Sequence, residues 1–230
     1  MSKITPAIDF ASVLASAVHD MKNSLCMLIQ SSELIQQESH QLSDSAREEL
    51  ARLNYEANRL NSNLLQLLAL YRLERNQFPV QIDEHYLCDV TEEVLLKNQF
   101  YIEQRKLRIE IEQRDELRWF FDYDLIINLL NDAVSNALRY CQTTVLLKIT
   151  AQENQLVIEV HDDGPGFPDL MLNHSNFDMN TPDLANNHTG LGIFFAKLIA
   201  AAHSNKGSQG AVNLNNGGKL GGGVFQLILP

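Results

Sequence analysis

A chain of 230 residues, 45% hydrophobic and 20% charged, has room for one large globular domain or two modest ones. Its formal net charge of −11, from 18 basic and 29 acidic side chains, excludes a binder of phosphate backbones, which needs a clustered basic face, so no nucleic-acid partner is expected. No apolar run approaches the roughly 20 residues of a membrane span, and Cys26, Cys88 and Cys141 lack CxxC or zinc spacing; the chain reads as a cytoplasmic protein with reduced thiols.

The N-terminal part reads as two long helices. Leu14, Val18, Met21, Leu25 and Leu28, with Ile35 beyond, alternate four and three apart, which is an a/d seam. A second seam runs Leu50, Leu53, Ala57, Leu60, Leu64, Leu67, Tyr71. Between them, residues 38–45 are polar, and Ser43 or Asp44 can cap the second helix. An antiparallel hairpin follows. Two such helices bury little surface alone, so the seams predict a homodimer forming a four-helix bundle. On the first helix, His19, Asp20 and Asn23 lie within two turns, and His19 and Asn23 share a face. His19 falls one residue beyond Val18, on the flank of the seam. There the imidazole can attack an electrophile while the Asp20 carboxylate orients it or takes its proton.

Gln77-Phe78-Pro79 breaks the helix and marks a linker. The spacing then predicts a strand at Val80–Ile82, a helix over Tyr86–Gln104, strands at Leu107–Ile111 and Trp119–Phe121, and a helix over Leu125–Tyr140. A hairpin of strands 145–150 and 156–160 turns at Glu153-Asn154, and a helix at 192–202 and a strand at 224–229 close the chain. Helices and strands in runs, some strands antiparallel, predict an α+β sandwich with helices on one face. A Rossmann fold is excluded, because its phosphate-binding strand–glycine turn–helix unit is missing. The domains are therefore 1–76 and 77–230.

Three stretches in the second domain could hold a nucleotide. On the helix over 125–140, Asp132, Asn136, Arg139 and Tyr140 form one stripe, with Leu129, Leu130, Ala133 and Ala137 on the neighbouring face. An Asn oxygen can complete the shell of a Mg²⁺ ion that keeps waters and phosphates as its other ligands, and an Arg on the same face can meet phosphates. In Val160-His161-Asp162-Asp163-Gly164-Pro165-Gly166-Phe167 a strand ends in a carboxylate able to accept from an exocyclic amine, followed by glycines that let backbone approach a flat ring. Asn187-His188-Thr189-Gly190-Leu191-Gly192 opens a helix, where backbone N–H groups favour phosphate. The polar residues between the last two stretches read as a lid.

The ordered set His-Asp-Met-Lys-Asn, the Asn136 helix, Asp-Asp-Gly-Pro-Gly, a polar lid and Gly-Leu-Gly resembles the H, N, G1 and G2 boxes of the sensor histidine kinases of two-component systems, over nearly the whole chain. The resemblance implies a dimerisation and phosphoacceptor hairpin, followed by an ATP-binding domain of the Bergerat type shared with gyrase, Hsp90 and MutL ATPases. It implies His19 as phosphoacceptor, Asp20 as the polarising neighbour and Asn23 as the residue that holds a water for dephosphorylating the partner. It further implies Asn136 on Mg²⁺, Arg139 and Tyr140 on phosphate and nucleoside, Asp162 on the adenine amino group, and Gly164, Gly166, Gly190 and Gly192 shaping pocket and lid. ATP and Mg²⁺ would be the cofactors. Partners would be a second copy, a response-regulator receiver domain and a sensor supplied separately, since no input module is recognisable.

The sequence departs from the pattern at Ser24, where Pro often stands, and at Asp132, often Asn, which fits a water-orienting base. The lid from Phe167 to Thr189 lacks Lys and Arg, and its aromatic box is reduced to Phe177. The bare lid and the missing input module motivate a competing expectation, an adaptor or histidine phosphotransfer protein whose second domain docks partners; an anti-sigma type serine kinase, which shares the nucleotide fold but has no use for the hairpin histidine, is a third.

Overall fold

The computed structural model describes residues 10–38, 80–173 and 191–230, and 43, 45–46, 49–50, 52–53, 56–57, 60–61 and 64 between them. The chain divides into two compact units, Met1–Pro79 and Val80–Pro230.

The first unit contains α1, Phe10–Glu38, a helix unbroken through Ser24. Ser24 Oγ donates to the carbonyl of Asp20 at 3.0 Å, so the hydroxyl that replaces a proline is absorbed by the preceding turn. Described positions from 45 to 64 are helical, and Ser43 Oγ accepts from the Ala46 N–H at 3.3 Å, a capping bond at the expected place. The remainder of the expected second helix, and the linker at Gln77-Phe78-Pro79, lie outside the described residues. Along the seams Val18 and Ala57 are buried, whereas Met21, Leu28, Ile35, Leu53 and Leu60 are about half exposed in the single chain.

The second unit is an α/β sandwich. Its strands are β1 (Asp83–Tyr86), β2 (Arg108–Glu112), β3 (Arg118–Phe121), β4 (Thr144–Gln152), β5 (Gln155–Asp162), β6 (Ser204–Asn205), β7 (Ser208–Gln209), β8 (Ala211–Asn216) and β9 (Gly223–Leu229). Its helices are α2 (Leu87–Arg105), α3 (Tyr123–Tyr140), the short α4 (Asp169–Asn173) and α5 (Leu191–Ala202). Five strands form one sheet in the order β2-β4-β5-β9-β8, in which β2 runs parallel to β4 and every other neighbour is antiparallel. β1 pairs with β3, and β6 with β7.

Register explains why one face is apolar. Ile149, Ile158, Leu227 and Val212 are successive cross-strand partners, as are Leu147, Val160, Phe225 and Leu214. Most of these join one core with Val90 and Val94 of α2, Ile126, Leu130, Val134 and Leu138 of α3, and Ala196 and Ala200 of α5. The side chains between them point to the opposite face, where Lys148, Glu159, Gln226 and Asn213 form a ladder. Lys148 Nζ donates to Glu159 at 2.8 Å, Gln226 Nε2 to Glu159 at 3.0 Å, and Asn213 Nδ2 to Gln226 at 3.0 Å. All helices of the core therefore lie on one side of the sheet, as the sequence predicts.

Two expectations are corrected. Val80–Ile82 is not a strand. The Gln81 N–H donates to Asp122 Oδ2 at 2.9 Å, and strand pairing begins at Asp83, opposite Phe121. The sequence reading also passed over β8, whose Ala-Val-Asn-Leu-Asn-Asn is too polar to stand out as a strand, although Val212 turns into the core.

Candidate functional site

The site grows from the ends of α3 and β5. Asp122 caps α3 by accepting from the Leu125 N–H at 3.0 Å, and the Asp122 N–H donates to Nε2 of buried His203 at 3.0 Å. This fixes the start of α3 against the residue that follows α5. Leu129, Leu130 and Ala137 are buried and Ala133 is packed against the core, so the helix presents Asn136, Arg139 and Tyr140 outward, with Asp132 half-buried. The Arg139 guanidinium lies 5.4 Å from the centre of the Tyr140 ring.

The end of α3 is joined to the end of β5 by Asp163. Its carboxylate accepts from the backbone N–H groups of Gln142 (2.8 Å), Thr143 (3.0 Å) and Thr144 (3.1 Å), and from the Thr143 hydroxyl at 2.6 Å. Desolvation pushes this carboxyl upward, but the Thr143 hydroxyl and the three backbone donors outweigh it and hold the carboxyl below its ordinary value. Asp163 is thereby anionic and committed to the turn, which leaves its neighbour for other work.

Asp162 is buried at the mouth of the sheet. Its Oδ1 accepts from the Gly164 N–H at 2.8 Å and the Gly223 N–H at 3.1 Å, while its carbonyl accepts from the Gly222 N–H at 3.0 Å. Among the described residues, no protein donor reaches Oδ2. Three glycines make this closeness possible. A Cβ on Gly164 would lie 2.3 Å from the Tyr140 carbonyl oxygen, one on Gly222 2.5 Å from Asp162 Oδ1, and one on Gly223 2.8 Å from Asp162 Oδ2. A carboxylate oriented by backbone, with one oxygen left over and no side chains crowding it, suits the exocyclic amine of a flat base.

Asn136, Arg139, Tyr140, Asp162 and Gly164 are thus gathered by one helix end and one strand end, and Gly166 (φ +80°) begins the way out of the pocket. Gly192 is exposed in the first turn of α5, whereas Gly190 and the part of the lid from 174 to 189, with Phe177, lie outside the described residues. His19, Asp20 and Asn23 are on α1 in the other unit; Asp20 and Asn23 are exposed, and the His19 side chain lies outside the described residues. Gly222, Gly223 and Asn216 went unnoticed in the sequence, and Asp163 was given no role there. The run Gly221-Gly222-Gly223 leading into the last strand was the available signal.

Residues 121–230 match the family described as histidine kinase-, DNA gyrase B-, and HSP90-like ATPase. Over 224 residues the chain is 23% identical to the sensor protein SrrB of Staphylococcus aureus, covering 94% of this chain and 37% of that protein. The family match and these relatives together support a histidine kinase catalytic core. The chain spans 37% of the length of the curated relatives it matches. Among solved structures, its fold is similar to the Acinetobacter baumannii histidine kinase AdeS, with a TM-score of 0.59 at 18% identity over 90% of this chain and 95% of that one. Full-length ShkA, solved in complex with AMPPNP, gives a TM-score of 0.62 at 19% identity over 95% of this chain and 45% of that one. The catalytic domain of the histidine kinase ThkA, nucleotide-free, gives 0.55 at 19% identity over 65% and 97%. The sandwich with helices on one face fits the matched ATPase family. Among the described residues, no helix is long and apolar enough to cross a membrane.

Proposed function

We propose that this chain is a cytoplasmic ATP-dependent protein-histidine kinase of a two-component system, with residues 1–76 as the dimerisation and phosphoacceptor domain and 77–230 as the catalytic ATP-binding domain. The observation that carries the reading is Asp162, held through Oδ1 by two backbone N–H groups inside a cradle of glycines. That carboxylate accepts from the adenine amino group. Arg139 and the start of α5, with Gly190 and Gly192, meet the phosphates, Tyr140 contacts the nucleoside, and Gly164 and Gly166 shape the floor. Asn136 is the protein ligand of a Mg²⁺ ion, which supplies charge neutralisation at the phosphates. An Asn with waters and phosphates as its companions fits magnesium chemistry, and no dedicated cage of carboxylates is needed.

The reaction is a transfer of the γ-phosphoryl group of ATP to His19. One ring nitrogen forms the N–P bond as the bond to the ADP oxygen breaks, and the proton on the other ring nitrogen passes to Asp20. Asp132 orients the nucleophile's surroundings as a water-directing base. The phosphoryl group then passes to an aspartate of a response-regulator receiver domain, and Asn23 holds the water that hydrolyses the resulting aspartyl phosphate to inorganic phosphate. Half-exposed Met21, Leu28, Ile35, Leu53 and Leu60 support a helical hairpin completed by a second copy. The signal comes from a separate sensor or from outside this chain.

Calorimetry with Mg·ATP and Mg·GTP tests the pocket. A carboxylate acceptor binds the 6-amino group of adenine and repels the 6-oxo group of guanine, so ATP binds and GTP binds at least about 30-fold more weakly. Asp162→Asn loses a comparable factor for ATP. Equal binding of both nucleotides, or an Asp162→Asn variant as tight as wild type, contradicts the reading.

A further inference from the structure

We propose that Asn216 is a positioning residue for the nucleobase pocket, acting through Phe167. The inference rests on the nucleotide reading of Asp162 and extends it to Phe167, at the end of the glycine motif, and to Asn216, which no motif of the sequence picks out. Asn216 ends β8 and is the cross-strand partner of Gly223, the first residue of β9. These two facing positions do complementary jobs.

On one side, the Asn216 amide clasps the backbone of Phe167. The Phe167 N–H donates to Asn216 Oδ1 at 2.7 Å, and Asn216 Nδ2 donates to the Phe167 carbonyl at 2.8 Å. Only one orientation of the amide satisfies both, and only an amide carries the donor and the acceptor side by side. Gly166 permits the approach: a Cβ there would lie 2.7 Å from Asn216 Oδ1, and its φ of +80° suits glycine. On the other side, Gly223 lies beneath the Phe167 ring. A Cβ on Gly223 would meet Phe167 Cε2 at 3.0 Å and Asp162 Oδ2 at 2.8 Å, so the ring edge and the open carboxylate oxygen converge on one point.

The base that donates to Oδ2 is thereby met by the edge of an aromatic ring, and the ring stands there because its backbone is fixed by Asn216. Asn216 is itself exposed, so its two bonds add little to the stability of the whole unit. Their consequence is local. They set where the chain leaves the pocket after Gly166, just before Pro168 and α4. Phe167 takes the role of contact residue, and Asn216 that of the residue that aims it.

The test is a double-mutant cycle in the full chain, read by Mg·ATP calorimetry, with hydrogen exchange at the Phe167 amide and thermal melting alongside. N216A is expected to raise the ATP Kd about five- to tenfold and to abolish protection of the Phe167 amide, with Tm within about 2 °C of wild type. In an F167A background, N216A costs no further affinity, because no ring remains to be aimed. N213A removes a comparable exposed amide bond from the same strand, to Gln226 on the far face, and leaves the ATP Kd unchanged. An N216A Kd equal to wild type, losses that add in the double variant, or an equal loss in N213A overturns the inference and leaves the nucleotide reading standing. Wild-type protein that binds no adenine nucleotide overturns both.

Discussion

At the scale of residues, the pocket is decided by what is not there. Asp162 can be contacted by backbone from two directions only because Gly164 and Gly222–Gly223 lack side chains. Gly222→Ala places a methyl 2.5 Å from Asp162 Oδ1 and 2.6 Å from its carbonyl oxygen, both of them rigid neighbours. The cost is about 1–3 kcal/mol, read as a Tm lower by roughly 3–10 °C, together with weaker ATP binding. Thermal melting with and without Mg·ATP checks both effects, and an unchanged Tm shows that the strand can move aside. The Asp-Asp-Gly-Pro-Gly stretch was legible in the sequence as a carboxylate followed by a tight turn. The division between its two carboxylates was not, since Asp163 binds Gln142, Thr143 and Thr144, about twenty positions back along the chain, and such pairing is set by packing rather than by local pattern.

At the scale of elements, the amphipathic spacing of α3 revealed which residues face the core and which face outward, and the core bears this out. Periodicity failed where side chains carry the structure in place of the ladder, at Gln81, and where a strand is mostly asparagine, at β8. The junction of α3 with the residue after α5 carries a pH dependence of its own. His203 Nε2 accepts from the Asp122 N–H, and its Nδ1 lies 2.7 Å from the Ile199 carbonyl, an arrangement that requires the neutral ring protonated on Nδ1. Burial lowers its pKa below 6.5, outweighing the Ile199 carbonyl and Asp122. His161, buried on the open face near Glu159, Lys148 and Lys219, is lowered in the same direction, again chiefly by burial. Lowered histidine values mean that the unfolded chain binds protons first, so stability is full above about pH 6.5 and falls as the pH drops below it. Glu93, Glu112, Glu159 and Asp163 are lowered from 4.5 or below and add their own loss only in stronger acid. The urea midpoint of the second unit's transition is therefore lower at pH 5.5 than at pH 7.5, and His203→Gln, a neutral side chain with a donor and an acceptor, reduces that difference. A midpoint independent of pH in this window contradicts the assignment.

At the scale of the whole molecule, the first helix and the sandwich of the second unit were readable because their apolar residues recur at helix and strand periods. The order of motifs along the chain, from the His19 helix to the glycines near α5, conveyed more than any single motif, because each alone is a common helix face or turn. What sequence could not reach was how the end of α3, the end of β5 and the β8–β9 hairpin meet, with Gly164 against the Tyr140 carbonyl, Gly223 on Asp162 and Asn216 on Phe167. A pocket of this construction is useful to a kinase only if a nucleophile receives the phosphoryl group, and that claim rests on His19. Incubating the wild-type chain and His19→Gln with Mg²⁺ and ATP labelled on the γ-phosphate measures it directly. The account predicts label on the wild-type protein that is lost in acid, as a phosphohistidine bond is, and none on His19→Gln. Label that survives acid and the loss of His19, or ATP binding with no label at all, would contradict it.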